Sequence, residues 1–195
     1  MASASTQSQI RSQPNEKRPG DNGSGSGSAR SGGSGSIGIR NPKPNKRIEH
    51  ITTIAAPIDV VWKSLVNVQD WTWNQWTRLD IGTQAPVNGL KGKLKACYEG
   101  NDKDWQTFDF EFAEVNAKNY ILAWKGSVLG GCLFSGYHTM RLESIDGTGT
   151  RLIHTEVFGG LLPLLKLGLP YTTLDRNYRL MNESLKNHIE KQAKQ

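Results

Sequence analysis

The sequence lacks an uninterrupted apolar run long enough to cross a bilayer, which takes about 20 residues. Its most apolar stretch, residues 160–170, is too short and is interrupted by Lys166 and two prolines. It also lacks the apolar segment of a secretory signal. These absences predict a cytoplasmic protein without stable membrane insertion. The first fifteen residues are rich in Ser and poor in acidic side chains, as in an organelle transit peptide, so import by this segment is the alternative.

Cysteine is scarce, with Cys97 and Cys132 as the two examples. Their separation matches no metal-binding spacing. Because a secretion signal is missing, both are expected to be free thiols rather than a disulfide. The sequence therefore predicts neither a metal ion nor another cofactor.

Large apolar side chains are almost absent from the first 45 residues. After Met1 this segment has no Leu, Val, Phe, Trp, Tyr or Met, and it is rich in Gly and Ser. Such a composition cannot bury enough apolar surface to offset the entropy lost on folding. We therefore expect a disordered tail at residues 1–45 and a single folded domain at residues 46–192.

The net charge of +6 also belongs mostly to this tail, which carries six basic and two acidic side chains. The folded domain is left close to neutral, and no basic face is evident in its sequence. A nucleic-acid-binding protein would concentrate Lys and Arg on its folded surface. We therefore expect no nucleic-acid partner. We also expect a monomer or weak dimer.

The first part of the domain has three predicted elements. Residues 46–56 alternate in polarity and predict a strand. Residues 57–67 begin with Pro57, which suits the first turn of a helix. Their apolar side chains recur at helical spacing: Ile58, Val61, Trp62 and Leu65. Residues 70–79, which contain three tryptophans, predict a second short helix.

Strand-like runs with alternating polarity follow, near residues 90–100, 105–115, 119–126, 131–145 and 150–158. Turn residues separate them, which favours antiparallel pairing. Residues 171–191 then change to helical periodicity and predict a long amphipathic helix. One helix covers six or seven strands only if the sheet curls around it, and that geometry tends to leave a cavity. The predicted class is therefore α+β.

Several segments together resemble a known superfamily: "IAAPIDVVWKSLVN" at 54–67, "WNQW" at 73–76, "LAWKG" at 122–126 and "GTRLIHTEVFGGLL" at 149–162. In order and spacing the chain resembles the START-like, helix-grip proteins of the SRPBCC superfamily, which includes polyketide cyclases and lipid-transport proteins. The resemblance implies the birch-pollen-allergen architecture, in which a curved antiparallel sheet surrounds a long C-terminal helix. It also implies an internal cavity for a small hydrophobic or aromatic molecule.

The segment 136–160 predicts a hairpin whose turn spans residues 145–149. This turn places His138 opposite Glu156 and Met140 opposite His154, all on the concave face of the sheet. Three interpretations of the polar pair remain open. It stabilises the cavity, anchors a polar group of a ligand, or transfers protons. If the protein is an enzyme, the candidate catalytic residues are His138, His154 and Glu156.

Aromatic and apolar side chains on the same face are the candidate ligand-binding residues. They are Trp73, Trp76, Tyr98, Phe108, Phe110, Phe112, Trp124, Met140, Phe158 and Tyr178. Trp73 and Trp76 are expected to cover one end of the cavity, as core or as a lid, with Trp71 partly exposed.

Three functions fit this pattern. The first is a carrier, sensor or sequestering module for a small hydrophobic molecule. The second is a cyclase- or dehydratase-like enzyme that uses the cavity His and Glu as acid and base. The third is an interaction protein of the chaperone-activator type.

Overall fold

The computed structural model describes residues 46–128, 134–160 and 170–193. The predicted disordered tail and Cys132 lie outside these residues, as does most of the apolar stretch that follows Gly160. No helix in the described part of the chain is long and apolar enough to span a membrane.

Seven strands and two α-helices make up the described part. The strands are β1 (Lys46–Ile54), β2 (Thr77–Asp80), β3 (Lys91–Cys97), β4 (Trp105–Asn116), β5 (Ile121–Val128), β6 (Phe134–Ile145) and β7 (Gly149–Gly159). The helices are α1 (Ile58–Val66), a 3₁₀ turn (Val68–Asp70) and α2 (Tyr171–Gln192). The strands form one antiparallel sheet in the order β1-β7-β6-β5-β4-β3-β2. The predicted sheet and the long terminal helix are confirmed.

Both α-helices follow a proline, which stands at the N-cap of each. Helix α1 buries Val61 and Leu65 against the sheet. Helix α2 buries the predicted apolar stripe, but the same face also carries two buried asparagines, Asn177 and Asn182. A polar amide on a core-facing stripe needs a partner there, and these two find theirs near the cavity.

The prediction of two short helices after β1 is right in number but wrong in place for the second. A 3₁₀ turn at Val68–Asp70 takes its place, and Thr77–Asp80 forms strand β2. Asn74 explains the difference, because its Oδ1 accepts the backbone N–H groups of Trp76 and Thr77. This local bonding competes with a helix. Trp71 was expected to be partly exposed, but it is buried and its Nε1 donates to the carbonyl of Leu65 at 3.0 Å.

The core fills one end of the concave face of the sheet. There α1, the 3₁₀ turn and the C-terminal half of α2 cover the sheet, and the largest buried side chains include Phe112, Leu122 and Met140. A smaller cluster joins Ile48 and Phe158 to Leu174 and Tyr178 at the start of α2. Between these two clusters the helix and the sheet leave space for a cavity.

Candidate functional site

The β6–β7 hairpin has the predicted register. It pairs His138 with Glu156 and Met140 with His154, and the last pair before the turn is Ile145 with Gly149. Within the turn, Asp146 and Gly147 both have positive φ. Asp and Gly tolerate this conformation better than most residues, so the local sequence closes the hairpin at this point. The alternation of the two strands then directs all three predicted polar side chains to the concave face.

A cavity of about 250 Å³ lies between that face and the N-terminal half of α2. Six of the ten predicted ligand-binding residues line it: Trp76, Tyr98, Phe108, Trp124, Phe158 and Tyr178. His138 and Glu156 also line it, whereas His154 does not and lies fully buried in contact with His138. Aromatic rings thus form much of the wall, and the buried His138, Glu156 and Tyr178 lie together on β6, β7 and α2.

The other four predicted ligand-binding residues do not line this cavity. Trp73, Phe110, Phe112 and Met140 are buried in the main core. Strand parity explains why these residues were predicted, and the position along the strand explains why they differ. Phe108, Phe110 and Phe112 have the same parity, but only Phe108 lies at the end of the strand that faces the cavity.

The polar side chains form one connected cluster. The Nε2 atoms of His138 and His154 lie 2.5 Å apart. The Nδ1 atom of His138 lies 3.6 Å from Oε2 of Glu156, and this oxygen accepts a hydrogen bond from the hydroxyl of Tyr178. All four side chains are buried or nearly so. On its other side, the His154 Nδ1 atom lies 2.6 Å from Oδ1 of Asn182.

Aromatic rings hold the imidazole of His138 in place. Its ring stacks on Trp124, with centroids 4.0 Å apart and planes inclined by 15°. Tyr178 meets His138 edge to face at 5.0 Å and lies 4.9 Å from His154. Such packing holds the plane of the ring and leaves it few alternative rotamers.

Burial determines the charge of these groups. It lowers the pKa of His138 to about 3 and lowers the pKa of His154 well below its usual value. It raises the pKa of Glu156 to about 7, although the hydrogen bond from Tyr178 acts in the opposite direction. Because burial favours the neutral form of each group, His138 and Glu156 form a neutral contact rather than an ion pair.

Gly136 makes room for the carboxyl group of Glu156. A Cβ atom at position 136 would collide with Oε1 of Glu156. Its cross-strand partner on β5, Gly126, has no such neighbour: the nearest atom to a Cβ there is the carbonyl oxygen of Asp109 at 3.8 Å. Both glycines line the cavity, but only Gly136 is required by the position of the carboxyl group.

Sequence reasoning missed two kinds of site residue. Asn182 and Asn177 contribute buried amides from α2, and the signal for them was an asparagine within the apolar stripe of a helix. Cys97 was not among the predicted site residues, because it follows three lysines of the same parity in the sequence. Cys97 is buried and lines the cavity. Within the described residues, no group of three or more His, Cys, Asp or Glu side chains could hold a metal ion.

No protein-family profile matches the chain, and no curated protein sequence matches it. Solved structures do match. The ZhuI aromatase/cyclase from Streptomyces sp. R1128 superposes with a TM-score of 0.61 at 16% identity, over 76% of this chain and 95% of its own. A START superfamily protein from Mycobacterium smegmatis gives 0.57 at 10% identity, over 74% and 97%. Ara h 8.0201 gives 0.56 at 14% identity, over 75% and 98%.

The chain has the START-like, helix-grip fold. At these identities the likeness concerns the fold alone. In this helix-grip domain the cavity lies where the terminal helix and the curved sheet diverge, and its polar cluster is built from β6, β7 and α2.

Proposed function

We propose that the protein binds a small, mainly apolar or aromatic molecule in this cavity, as a carrier, a sensor or a sequestering module. The observation that carries the proposal is the composition of the wall. Aromatic rings form much of it, and buried polar groups lie together at Glu156 and His138. An apolar pocket with a few convergent polar groups is the usual form of a small-molecule site.

The polar groups give such a molecule an orientation. Its apolar body would contact rings such as Phe108, Phe158 and Trp124. Its polar end would meet the carboxyl group of Glu156 and the Nδ1 atom of His138. A buried polar group of the ligand that found no partner would cost about 1–3 kcal/mol, so the pair would favour one binding mode.

The test is binding of the neutral fluorescent probe N-phenyl-1-naphthylamine, together with native mass spectrometry of the gently purified protein. We expect one probe per chain and quenching of tryptophan emission. Gly126→Leu should fill the cavity and abolish binding while the protein stays folded, because a Cβ there has room. Lys125→Leu is the matched control, since Lys125 is the adjacent residue and its side chain is exposed. Equal binding by both variants would contradict the proposal.

The second candidate is an enzyme of the cyclase or dehydratase type. The observation that favours it is the pairing of a carboxyl group with a neutral imidazole, 3.6 Å apart on the cavity wall. The pKa of Glu156 is raised to about 7, so near neutral pH its carboxyl group can give up or take up a proton, while the neutral imidazole of His138 beside it can accept a hydrogen bond. Aromatase/cyclases are among the solved structures of this fold.

Mass spectrometry separates the two functions. A binding module returns a co-purified or added polyketide-like molecule unchanged. An enzyme converts it to a product that has lost water or gained a ring. Glu156→Gln should stop that conversion while N-phenyl-1-naphthylamine still binds. Conversion at an unchanged rate in this variant would remove Glu156 from the mechanism.

A further inference from the structure

A row of polar side chains runs through the buried part of the domain and ends at the cavity. It begins at Thr52 on β1, whose Oγ1 lies 3.2 Å from Nδ2 of Asn182. It continues from Oδ1 of Asn182 to His154, and from His154 to His138, with contacts of 2.6 and 2.5 Å. Asn182 and His154 have no exposed surface, so bulk water does not reach them.

The direction of the hydrogen bonds follows from the amide group of Asn182. Its Nδ2 donates to Thr52, so its Oδ1 is the atom that faces His154, and a carbonyl oxygen can only accept. His154 must therefore carry its proton on Nδ1. A neutral imidazole has one N–H, which leaves the Nε2 atom of His154 as an acceptor.

The same argument determines which nitrogen atom of His138 carries its proton. The contact of 2.5 Å between the two Nε2 atoms requires one proton between them, and His138 has to supply it. The proton of His138 is therefore on Nε2, and its Nδ1 atom has a lone pair. This atom lies beside Glu156, at 3.6 Å from Oε2, and both residues line the cavity.

In its ionised form, Glu156 adds acceptor capacity at the same place. Its Oε2 atom receives the hydroxyl of Tyr178, while Oε1 lies over Gly136. No Lys or Arg is among the described residues that line the cavity. A ligand carboxylate would thus meet a lone pair and a carboxyl group, with no cation from these residues to compensate its charge.

From this arrangement we infer that the polar end of the cavity is a hydrogen-bond acceptor, oriented by Asn182 through His154 and His138, and that it selects a ligand with a hydroxyl or phenol head group over one with an ether or a carboxylate. The inference rests on the proposed function and specifies its ligand. Asn182 is a positioning residue here, because its effect on the ligand passes through two imidazoles.

Three probes of nearly equal shape test the selection on the full chain near neutral pH: 2-naphthol, 2-methoxynaphthalene and 2-naphthoate. We expect 2-naphthol to bind about tenfold more tightly than the ether, the equivalent of one hydrogen bond. The naphthoate should bind more weakly than either. Nitrogen-15 spectra of the imidazoles provide a second readout, and should show the proton on Nδ1 in His154 and on Nε2 in His138.

The Asn182→Leu variant removes the acceptor that orients the row. It should bind 2-naphthol no more tightly than the ether, while the affinity for the ether stays unchanged. His50→Gln is the control, because His50 is paired with His154 across β1 and β7 but its side chain contacts Asp175. If Asn182→Leu does not fold, the probe series and the nitrogen-15 spectra of the natural protein still test the ligand preference and the positions of the protons.

The outcomes separate the two proposals. If none of the three probes binds, the proposed function is wrong and the ligand preference is wrong with it. If the probes bind without preference, or if the proton of His138 is on Nδ1, the preference alone is wrong and the binding function stands.

Discussion

The Nε2 atoms of His138 and His154 lie 2.5 Å apart in the interior of the domain, within hydrogen-bond distance of each other. The hairpin register pairs His138 with Glu156 across the strands, but the closest polar contact of His138 is to the other histidine. His154 in turn depends on Asn182. The histidine pair is therefore part of a polar row that joins the sheet to α2.

Removing one imidazole should destabilise the protein, because the other loses its partner inside the core. We expect His154→Leu to lower the free energy of unfolding more than His138→Leu, since it leaves both the Nε2 atom of His138 and the Oδ1 atom of Asn182 without their partner. The coupling energy in a double-mutant cycle should be about 1–2 kcal/mol. Urea denaturation of the four proteins measures it. Additive effects would show that the two rings do not hydrogen-bond.

The two cross-strand glycines of the cavity should differ in their tolerance of a methyl group. Gly136→Ala brings a Cβ onto the carboxyl group of Glu156 and should cost about 1–3 kcal/mol of stability. Gly126→Ala should be close to neutral. Adding Glu156→Ala to Gly136→Ala removes the collision, so this pair should be less than additive. Equal costs for both glycine variants would place the carboxyl group elsewhere.

Glu156 should make stability fall as the pH rises. The unfolded chain releases this proton around pH 4.5, whereas burial raises the pKa in the folded protein to about 7. Between these values the folded state binds more protons, so the free energy of unfolding decreases with pH. The natural protein should lose about 3 kcal/mol relative to Glu156→Gln across this interval.

The histidines act in the opposite direction, which is why the comparison with Glu156→Gln is needed. Burial lowers the pKa of His138 from 6.5 to about 3, so the unfolded state takes up a proton that the folded state does not. This contribution reduces stability as the pH falls below 6.5. It is present in both proteins and cancels in their difference. A difference that stays constant with pH would mean that Glu156 titrates normally.

Two tryptophans of the segment between α1 and β2 should have different roles. Trp73 is buried in the main core, and its Nε1 has no partner among the described residues, so Trp73→Phe loses packing alone. We expect a loss of about 1–3 kcal/mol of stability with unchanged probe kinetics. Trp76 lines the cavity, and Trp76→Phe should change the rates of N-phenyl-1-naphthylamine binding in stopped-flow measurements. The reverse pattern would make Trp73 the residue that covers the cavity.

The proposed domain boundary at residue 46 can be tested by deletion. The hydrophobic core described above draws its side chains from residues 48–189. A chain that begins at Lys46 should therefore unfold within a few degrees of the full chain. A larger drop in the unfolding temperature would show that the first 45 residues contribute to the folded domain.

Much of the architecture was predictable because its signals are local. The alternation of β4 to β7, the helical stripe of α2 and the Asp-Gly turn each act over a few residues, and together they predict the register that pairs His138 with Glu156. The segment with three tryptophans was harder to interpret. There the side chain of Asn74 bonds the backbone, and this overrides an apolar spacing that suits a helix.

The sequence by itself determined which side chains share the concave face, because a strand alternates with a period of two and a turn fixes its partner. Only the tertiary structure decided how that face is divided between core and cavity. Phe108 and Phe112 have the same parity, yet packing covers one completely and leaves the other on the cavity wall. It also decided that Asn182 meets His154, because contacts between a helix and a sheet depend on how the whole domain packs.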